Sequence, residues 1–422
     1  MKILFLVPYV PTLIRVRPYN LIRTLASRGH HITLLTLWTD EAERAAIRDL
    51  EPYCQKIYAY PLPNWRSLYN CGRALPTSTP LQAVYCWQPE LAATLRDLIL
   101  ESAPDDRFDV IHIEHLRGAK FGVELLSEGQ KHPQTQENLW PPIVWDSVDS
   151  ISHLFRQASS SSKMGFSRLI TGFDLPRTEK YEGWLTGQFN EVLVTSHVDK
   201  EAFQSLIPSD GNQEPVITVL PNGVDLGYFK PDETVSREAA TLVVSGKMSY
   251  HANINMVLYL VNEIMPLIWE RRPDVKLWIV GKDPSNEILA LAKNPAISVT
   301  GFVESVLPYL HKASIAVSPI LYGAGIQNKV LEAMACGTPV VATPQAISAI
   351  TAKPDENILV GETPEAFAQA TLELLDNEIF RSKIGNAGRL FVEQNHDWNK
   401  IGEDLENIYT KVKQQKFQPQ LS

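Results

Sequence analysis

Cysteine is scarce, with four residues (Cys54, Cys71, Cys86 and Cys336) in a chain of 422. Their spacing suits neither a metal site nor a dense disulfide framework, so reduced thiols in a cytoplasmic protein are expected. No run of about 18 apolar residues occurs, so no membrane-spanning helix is expected. The opening "MKILFLVPYVP" has the apolar character of a leader. Pro8 and Pro11 interrupt it and no small-residue cleavage site follows, so a buried first strand is expected instead. Basic residues are outnumbered, 39 against 48 acidic, for a formal charge of −9. A nucleic-acid partner needs a basic face and is not expected. Acidic residues are missing from the first 39 positions, which carry Lys2, Arg15, Arg17, Arg23 and Arg28. Two readings stay open: a basic face for a phosphate or the cytoplasmic membrane surface, or a cluster on a solvated helix. The stretch "VPYVPTLIRVR" after the first apolar run holds no glycine, so the G-x-G-x-x-G turn of nicotinamide binding is missing.

What is present is an ordinary globular composition, 44% hydrophobic and 21% charged. A chain this long exceeds one core, and two domains of roughly 200 residues are expected. Apolar runs at 3–7, 31–38, 56–62, 109–115, 142–148 and 191–196 alternate with amphipathic segments. In "YNLIRTLASRGH", Leu21, Ile22 and Leu25 fall at helical spacing and Gly29 suits the cap. The pattern repeats with runs at 241–246, 275–281, 297–303, 315–320, 339–343 and 357–361. Strands and helices in alternation predict parallel sheets covered on both faces, hence two successive doubly wound domains. The junction is expected near 205–225, rich in Pro, Gly and Asp. Three segments break the pattern: 127–142 reads as a surface insertion, 158–163 as a loop, and 67–87 as a packed irregular loop or part of an acceptor site.

The stretch "YGAGIQNKVLEAMACGTPVVAT" (322–343) reads as a glycine turn, a short helix ended by Gly337 and Pro339, and a strand. A strand end, a glycine turn and a helix N-terminus together make an anion site at the carboxyl edge of a sheet. Val330, Leu331, Met334 and Ala335 form the core stripe, while Lys329, Glu332 and Cys336 share another face. Lys329 in the first turn opposes the helix dipole, which makes sense if an anion such as a diphosphate lies there. A solvated Lys and Glu on an exposed face fit the spacing equally well.

Taken in order, "FDVIHIEH" (108–115), "VLPNGVD" (219–225), "VVSGKMSY" (243–250), "VKLWIVGKDP" (275–284), "VTGFVESVLPYLHKASIAVSPI" (299–320) and "KVLEAMACGTPVVAT" (329–343) resemble the GT-B glycosyltransferases of family 4. The particular variants resemble a bacterial subgroup associated with extracellular polysaccharide synthesis. The resemblance implies an α/β GT-B fold: two Rossmann-like domains whose parallel sheets face a central cleft. Its boundaries would be 1–212 for the acceptor domain and 213–395 for the donor domain, with a last helix in 396–422 crossing back to the N-terminal domain.

The same resemblance implies a retaining transfer of a sugar from a nucleotide-sugar to a hydroxyl on a glycan or lipid-linked acceptor, with no cofactor and no metal. The sequence agrees in having no D-x-D motif. Glu332 matches the second Glu of the E-x7-E pattern and would hold the ribose hydroxyls; a carboxylate can accept from both at once. Gly246 and Lys247 match the strand-end glycine and basic residue that face the diphosphate. Gly325 and Ile326 open the anion-binding helix, and Val303 matches the loop that contacts the base. The first Glu of the pair falls on Ala324 and the second basic residue of the clamp on Ala252, a charge that Lys329 could replace. On the acceptor side the family's His falls on Glu114, flanked by His112 and His115. His112 lies within a strand and reads as structural, whereas Glu114 and His115 end it. Asp146 and Asp149 end another strand, Asp149 having helix capping as its alternative role. Glu114, His115 and Asp149 are the catalytic candidates. A sugar-nucleotide 2-epimerase of the same fold and a non-catalytic nucleotide-sugar-binding protein are the alternatives.

Overall fold

The computed structural model describes residues 1–13, 15–131, 140–161, 165–207, 215–322 and 325–415. Its contacts divide into two units, Met1–Pro221 with Trp398–Ser422, and Asn222–Asp397.

The first unit holds a seven-stranded parallel sheet in the order β3-β2-β1-β4-β5-β6-β7. The strands are β1 Lys2–Val7, β2 His31–Trp38, β3 Lys56–Pro61, β4 Val110–Glu114, β5 Ile143–Val148, β6 Glu191–Val194 and β7 Ile217–Val219. Successive side chains point to opposite faces of a strand. In β1, Leu4 and Leu6 join one core cluster with Leu35, Ile111 and Ile113. Ile3, Phe5 and Val7 join the other with Ile32, Leu34 and Leu21. Burial on both faces makes such strands continuously apolar, as expected of a parallel sheet covered by helices. Pairing begins beside β1 and runs outward both ways, so β1 and β4 flank the switch point where loops diverge and ligands bind.

Three sequence expectations need correction here. The boundary expected at 212/213 would assign β7 to the second domain, yet Val192, Leu193 and Val194 of β6 pair with Ile217, Thr218 and Val219, so the division falls at 221/222. The expected irregular segment 67–87 is largely helical, in helices Asn64–Ala74 and Leu81–Tyr85. Residues 158–161, expected as loop, continue the helix Ile151–Ser161; of the expected insertion at 127–142, residues 127–131 continue helix His115–Lys131 and residues 132–139 lie outside the described residues.

The chain's last helix, Trp398–Gln414, belongs to the first unit. It lays Ile401, Leu405, Tyr409 and Val412 into the cluster that also receives Leu21, Ile22 and Leu25 of helix Val16–Ser27. Each such buried side chain contributes about 1.5–3 kcal/mol.

The second unit holds a six-stranded parallel sheet in the order β10-β9-β8-β11-β12-β13. These are β8 Glu238–Ser245, β9 Lys276–Val280, β10 Ile297–Val299, β11 Ala313–Ser318, β12 Val340–Ala342 and β13 Leu359–Val360. The helix between β11 and β12, Asn328–Ala335, buries Val330, Leu331, Met334 and Ala335 against one core. It ends as read from the sequence: Gly337 donates its N–H to Met334 O and Thr338 to Ala333 O.

Candidate functional site

In the second unit, β8 and β9 end on glycines because their backbones nearly touch. A Cβ on Gly281 would lie 1.8 Å from the Gly246 carbonyl oxygen, and one on Gly246 would lie 2.8 Å from Asn253 Nδ2 and 3.3 Å from Lys329 Nζ. A side chain at either position would fill this strand-end hollow. The helix Asn328–Ala335 starts beside it with no acidic residue in its first turn and no side chain capping its N-terminus. Its first N–H groups and its dipole therefore favour an anion.

Lys329 supplies the positive charge. Its Nζ donates to Asn253 Oδ1 at 2.6 Å and lies 3.8 Å from Met256 Sδ. Desolvation pulls its pKa down to about 8, with the Glu332 carboxylate acting the other way. The Glu332 carboxylate, one turn on, accepts no hydrogen bond among the described residues, while its backbone carbonyl accepts from Cys336 N at 3.1 Å. Burial raises its pKa to about 7, opposed by Lys329. A partly buried carboxylate without a donor is costly unless a ligand supplies one.

Lys247 follows the hollow as an exposed side chain, its carbonyl accepting from Asn253 Nδ2 at 3.0 Å. Asn253 thus ties the strand-end loop to Lys329. Ala252 is buried beside it, so Lys329 reaches the neighbourhood of the position where the resemblance expects a second cation. Gly325 (φ 79°) and Ile326 precede the helix, and Val303 lies in the loop after β10, both apolar side chains resting on the core. Gly246, Lys247, Gly325, Ile326, Lys329 and Glu332 all lie at or just beyond the carboxyl ends of β8 and β11. Ala324 lies outside the described residues. Sequence reading missed Asn253 and a ring cluster beside it, in which Tyr250 stacks on His251 at 4.9 Å and Tyr322 donates to or accepts from His251 Nδ1 at 3.1 Å.

In the first unit, Glu114 ends β4 directly opposite Asp146 of β5. Its Oε1 accepts from the Tyr9 hydroxyl at 2.6 Å, while Oε2 is buried with no partner among the described residues. Burial first, then the Asp146 charge, raise its pKa to about 8, so Glu114 is largely protonated at neutral pH. His115 turns the chain from β4 into helix His115–Lys131 at φ 65°. Its Nδ1 accepts from Arg117 N at 3.2 Å, which leaves the ring proton on Nε2. Burial and Arg117 push its pKa to about 3, so the ring is neutral and can donate but holds no charge.

Asp149 follows β5. Its Oδ1 accepts from Thr195 Oγ1 at 3.1 Å, and burial followed by Asp199 raises its pKa to about 6. It is therefore the candidate carboxylate that is mostly ionised at neutral pH. The capping alternative does not hold: Ile151 N and Ser152 N, at the start of helix Ile151–Ser161, donate instead to Glu182 at 2.7 and 3.2 Å. Val148, just before Asp149, sits at φ 70°. A β-branched residue there is strained, and with His115 it places two costly backbone conformations at one sheet edge, where strain tends to mark function.

His112 is interior. Nδ1 lies 2.8 Å from the Tyr409 hydroxyl, Nε2 lies 3.6 Å from Asp146, and the ring packs on Phe5. Asp146 in turn accepts from Arg17 Nε at 2.7 Å, both side chains buried. This ion pair takes one of the five basic residues of the acid-free N-terminus into the core. Arg17 is inside the fold, Lys2 pairs with Asp106, Arg15 with Glu43 and Arg28 with Glu406. At these positions the charges are paired within the fold, Arg17 inside it and the others at its surface.

The pattern of Glycosyltransferase Family 4 matches residues 15–228, and that of Glycosyl transferases group 1 matches residues 239–377. The chain belongs to glycosyltransferase family 4. It is 27% identical over 241 residues to a GDP-mannose-dependent monoacylated alpha-(1-6)-phosphatidylinositol monomannoside mannosyltransferase of Corynebacterium glutamicum, covering 52% of this chain and 62% of the relative. It is 21% identical over 387 residues to a 44.6 kDa protein in the cps region of Klebsiella pneumoniae, covering 89% and 90%. A capsular polysaccharide biosynthesis glycosyltransferase, CapM of Staphylococcus aureus, is 26% identical over 230 residues, covering 48% and 58%. The matched stretch is thus less than two thirds of the Corynebacterium and Staphylococcus proteins. Among solved structures, a sucrose-phosphate synthase from Thermosynechococcus elongatus superposes with TM-score 0.64 at 18% identity, covering 98% of this chain and 99% of that one. Anabaena HepE in complex with UDP and glucose gives 0.63 at 15%, covering 97% and 99%. These likenesses establish the GT-B fold with two Rossmann-like domains, as the resemblance implied.

Proposed function

We propose that this chain transfers a sugar from a nucleotide-sugar donor to a hydroxyl of a glycan or lipid-linked acceptor, with retention of configuration and without a metal ion. The observation that carries the reading is the grouping of Lys329, Glu332 and Asn253 with the Gly246 hollow and an uncapped helix N-terminus. As a site it offers a diphosphate fixed cations and backbone N–H groups, and offers a ribose a carboxylate that lacks donors.

Negative charge develops on the departing diphosphate, and preorganised cations and dipoles lower that barrier without a metal. Lys329, Lys247 and the helix end after Gly325 take this role. The raised pKa of Glu332 falls back when ribose hydroxyls donate to it, because hydrogen bonding favours the charged form. Val303 supplies apolar contact to the base. On the acceptor side, Asp149 is the carboxylate available to accept from a hydroxyl, neutral His115 is a donor, and protonated Glu114 is a donor through its free oxygen. The acceptor class is suggested by relatives named for phosphatidylinositol mannoside and capsular polysaccharide synthesis. Four free cysteines suit a cytoplasmic enzyme that reaches lipid-linked acceptors peripherally.

Release of free nucleoside diphosphate from a nucleotide-sugar, dependent on an added glycan or lipid-linked acceptor extract, tests the reading. Free epimerised sugar without acceptor would establish the epimerase instead, and binding without release under any acceptor would establish a non-catalytic binder.

A further inference from the structure

Helix Asn64–Ala74 is packed the wrong way round for a globular protein. Its small or polar Ser67, Asn70 and Ala74 are buried, whereas Trp65 (59% exposed), Leu68 (72%) and Tyr69 (52%) face solvent. Spacings of three and four put these three on one stripe. An amphipathic helix of a soluble protein normally turns its apolar stripe inward. The inward face is satisfied all the same: Asn70 Nδ2 donates to the Trp87 carbonyl at 2.9 Å. Leu75, just beyond the helix, is half exposed, and so is Phe173. They are neighbours, because Arg177 Nη2 donates to the Leu75 carbonyl at 2.6 Å while its guanidinium lies 4.2 Å from the Phe173 ring centre.

Exposed charge on this face has one sign; Asp174, beside Phe173, is buried and accepts from Leu81 N. Arg66 lies over the Trp65 ring and Arg73 over Tyr69. No Asp or Glu occurs between Glu51 and Glu90, a stretch that carries Lys56, Arg66 and Arg73. Exposed Trp, Tyr and Leu interleaved with Arg match the headgroup region of a bilayer, where rings sit at the interface and guanidinium groups meet lipid phosphates. A second copy fits poorly, since a two-fold contact would set one arginine-bearing face against another. A soluble glycan fits poorly too, because the face has no carboxylate to accept sugar hydroxyls. Among the described residues no helix is long and apolar enough to cross a membrane.

We propose that the face of helix Asn64–Ala74, extended by Leu75, Phe173 and Arg177, docks the chain on an anionic phospholipid bilayer. The contact is peripheral: the rings and leucines enter the interface and the arginines hold lipid phosphates. It lies on the unit that carries the acceptor candidates, since the next helix, Leu81–Tyr85, packs on helix His115–Lys131, with Gln82 Oε1 accepting from Arg117 Nε at 2.7 Å. The inference shares only the membrane with the lipid-linked acceptor reading, and vesicles carrying neither donor nor acceptor test it separately.

The test is co-sedimentation of the full chain with phosphatidylcholine vesicles, with and without phosphatidylglycerol. The expected result is binding that requires phosphatidylglycerol and weakens with salt. Trp65→Ser combined with Leu68→Ser should lower it by about tenfold or more at unchanged melting temperature. Arg66→Gln combined with Arg73→Gln should abolish the preference for phosphatidylglycerol. Brominated lipid should quench part of the tryptophan emission, a part missing in Trp65→Phe. A wild-type chain that stays in the supernatant with both vesicle types, variants that sediment like wild type, or a wild-type dimer that Trp65→Ser with Leu68→Ser dissociates would each overturn the proposal.

Discussion

Lys329 Nζ donates to Asn253 Oδ1 at 2.6 Å, joining the first turn of helix Asn328–Ala335 to the loop that follows β8. Two elements far apart in sequence thereby present one cation at a strand end. If that cation stabilises the departing diphosphate, Lys329→Met should lower kcat/KM by about a hundredfold or more, the usual loss of one preorganised charge. Asn253→Ala should cost less, because it removes the tether but leaves the charge. Steady-state kinetics on both variants checks the order; equal losses would mean that Asn253 itself binds donor.

A pH dependence follows from Glu114. Its folded pKa of about 8 lies above the usual 4.5, so below about 4.5 both folded and unfolded chains hold the proton and the group is neutral to stability. Between those values the unfolded chain releases the proton while the folded chain keeps it, so stability falls as pH rises, by up to about 1.4 kcal/mol per pH unit for one proton. Glu182, raised to about 7 chiefly by burial, acts in the same direction. Glu114→Gln should flatten the loss between about pH 5 and 8, read by urea unfolding across pH; an unchanged slope would contradict the buried acid.

Arg17 is the counter-charge that keeps Asp146 ionised inside the fold, and Asp146 is held below the usual carboxylate range against the cost of burial. Arg17→Met leaves that charge unpaired and should destabilise the chain by about 3–5 kcal/mol. Adding Asp146→Asn should recover part of the loss. A double variant no better than the single one would show that packing, rather than charge, is what Arg17 supplies.

The last helix is a structural part of the first unit. Leu405 is fully buried and Tyr409 reaches His112 from 297 residues away in sequence. Leu405→Ala should cost about 2–5 kcal/mol. Truncation after residue 395 should expose the cluster lined by Leu21 and Leu25 and leave the chain unable to fold, as circular dichroism would register.

Both sheets were legible because parallel strands buried on both faces read as unbroken apolar runs. The three-residue β7 was not, since it lies in a stretch rich in Pro, Gly and Asp. The anion-binding helix was legible from its glycine turn and its stop at Gly337. Asn253 was not, because its role depends on a contact 76 residues away. Capping of helix Ile151–Ser161 was left open between Asp149 and other groups: the acceptors are Ser150 Oγ, which takes the His153 N–H at 3.3 Å, and Glu182, which tertiary packing brings to the Ile151 and Ser152 N–H groups. The acid-free N-terminus left two readings open for a related reason, as Lys2, Arg15, Arg17 and Arg28 find acidic partners only in the folded chain.

The central claim, that the second unit binds a sugar nucleotide through Glu332, is tested most directly by thermal unfolding of wild type and Glu332→Ala with UDP-, GDP-, ADP- and dTDP-sugars. A ligand that binds only the folded chain raises its melting temperature. The account predicts that at least one of these donors raises the wild-type transition and that Glu332→Ala, itself folded, loses the shift. No shift with any donor, or a shift of the same size in Glu332→Ala, would contradict it.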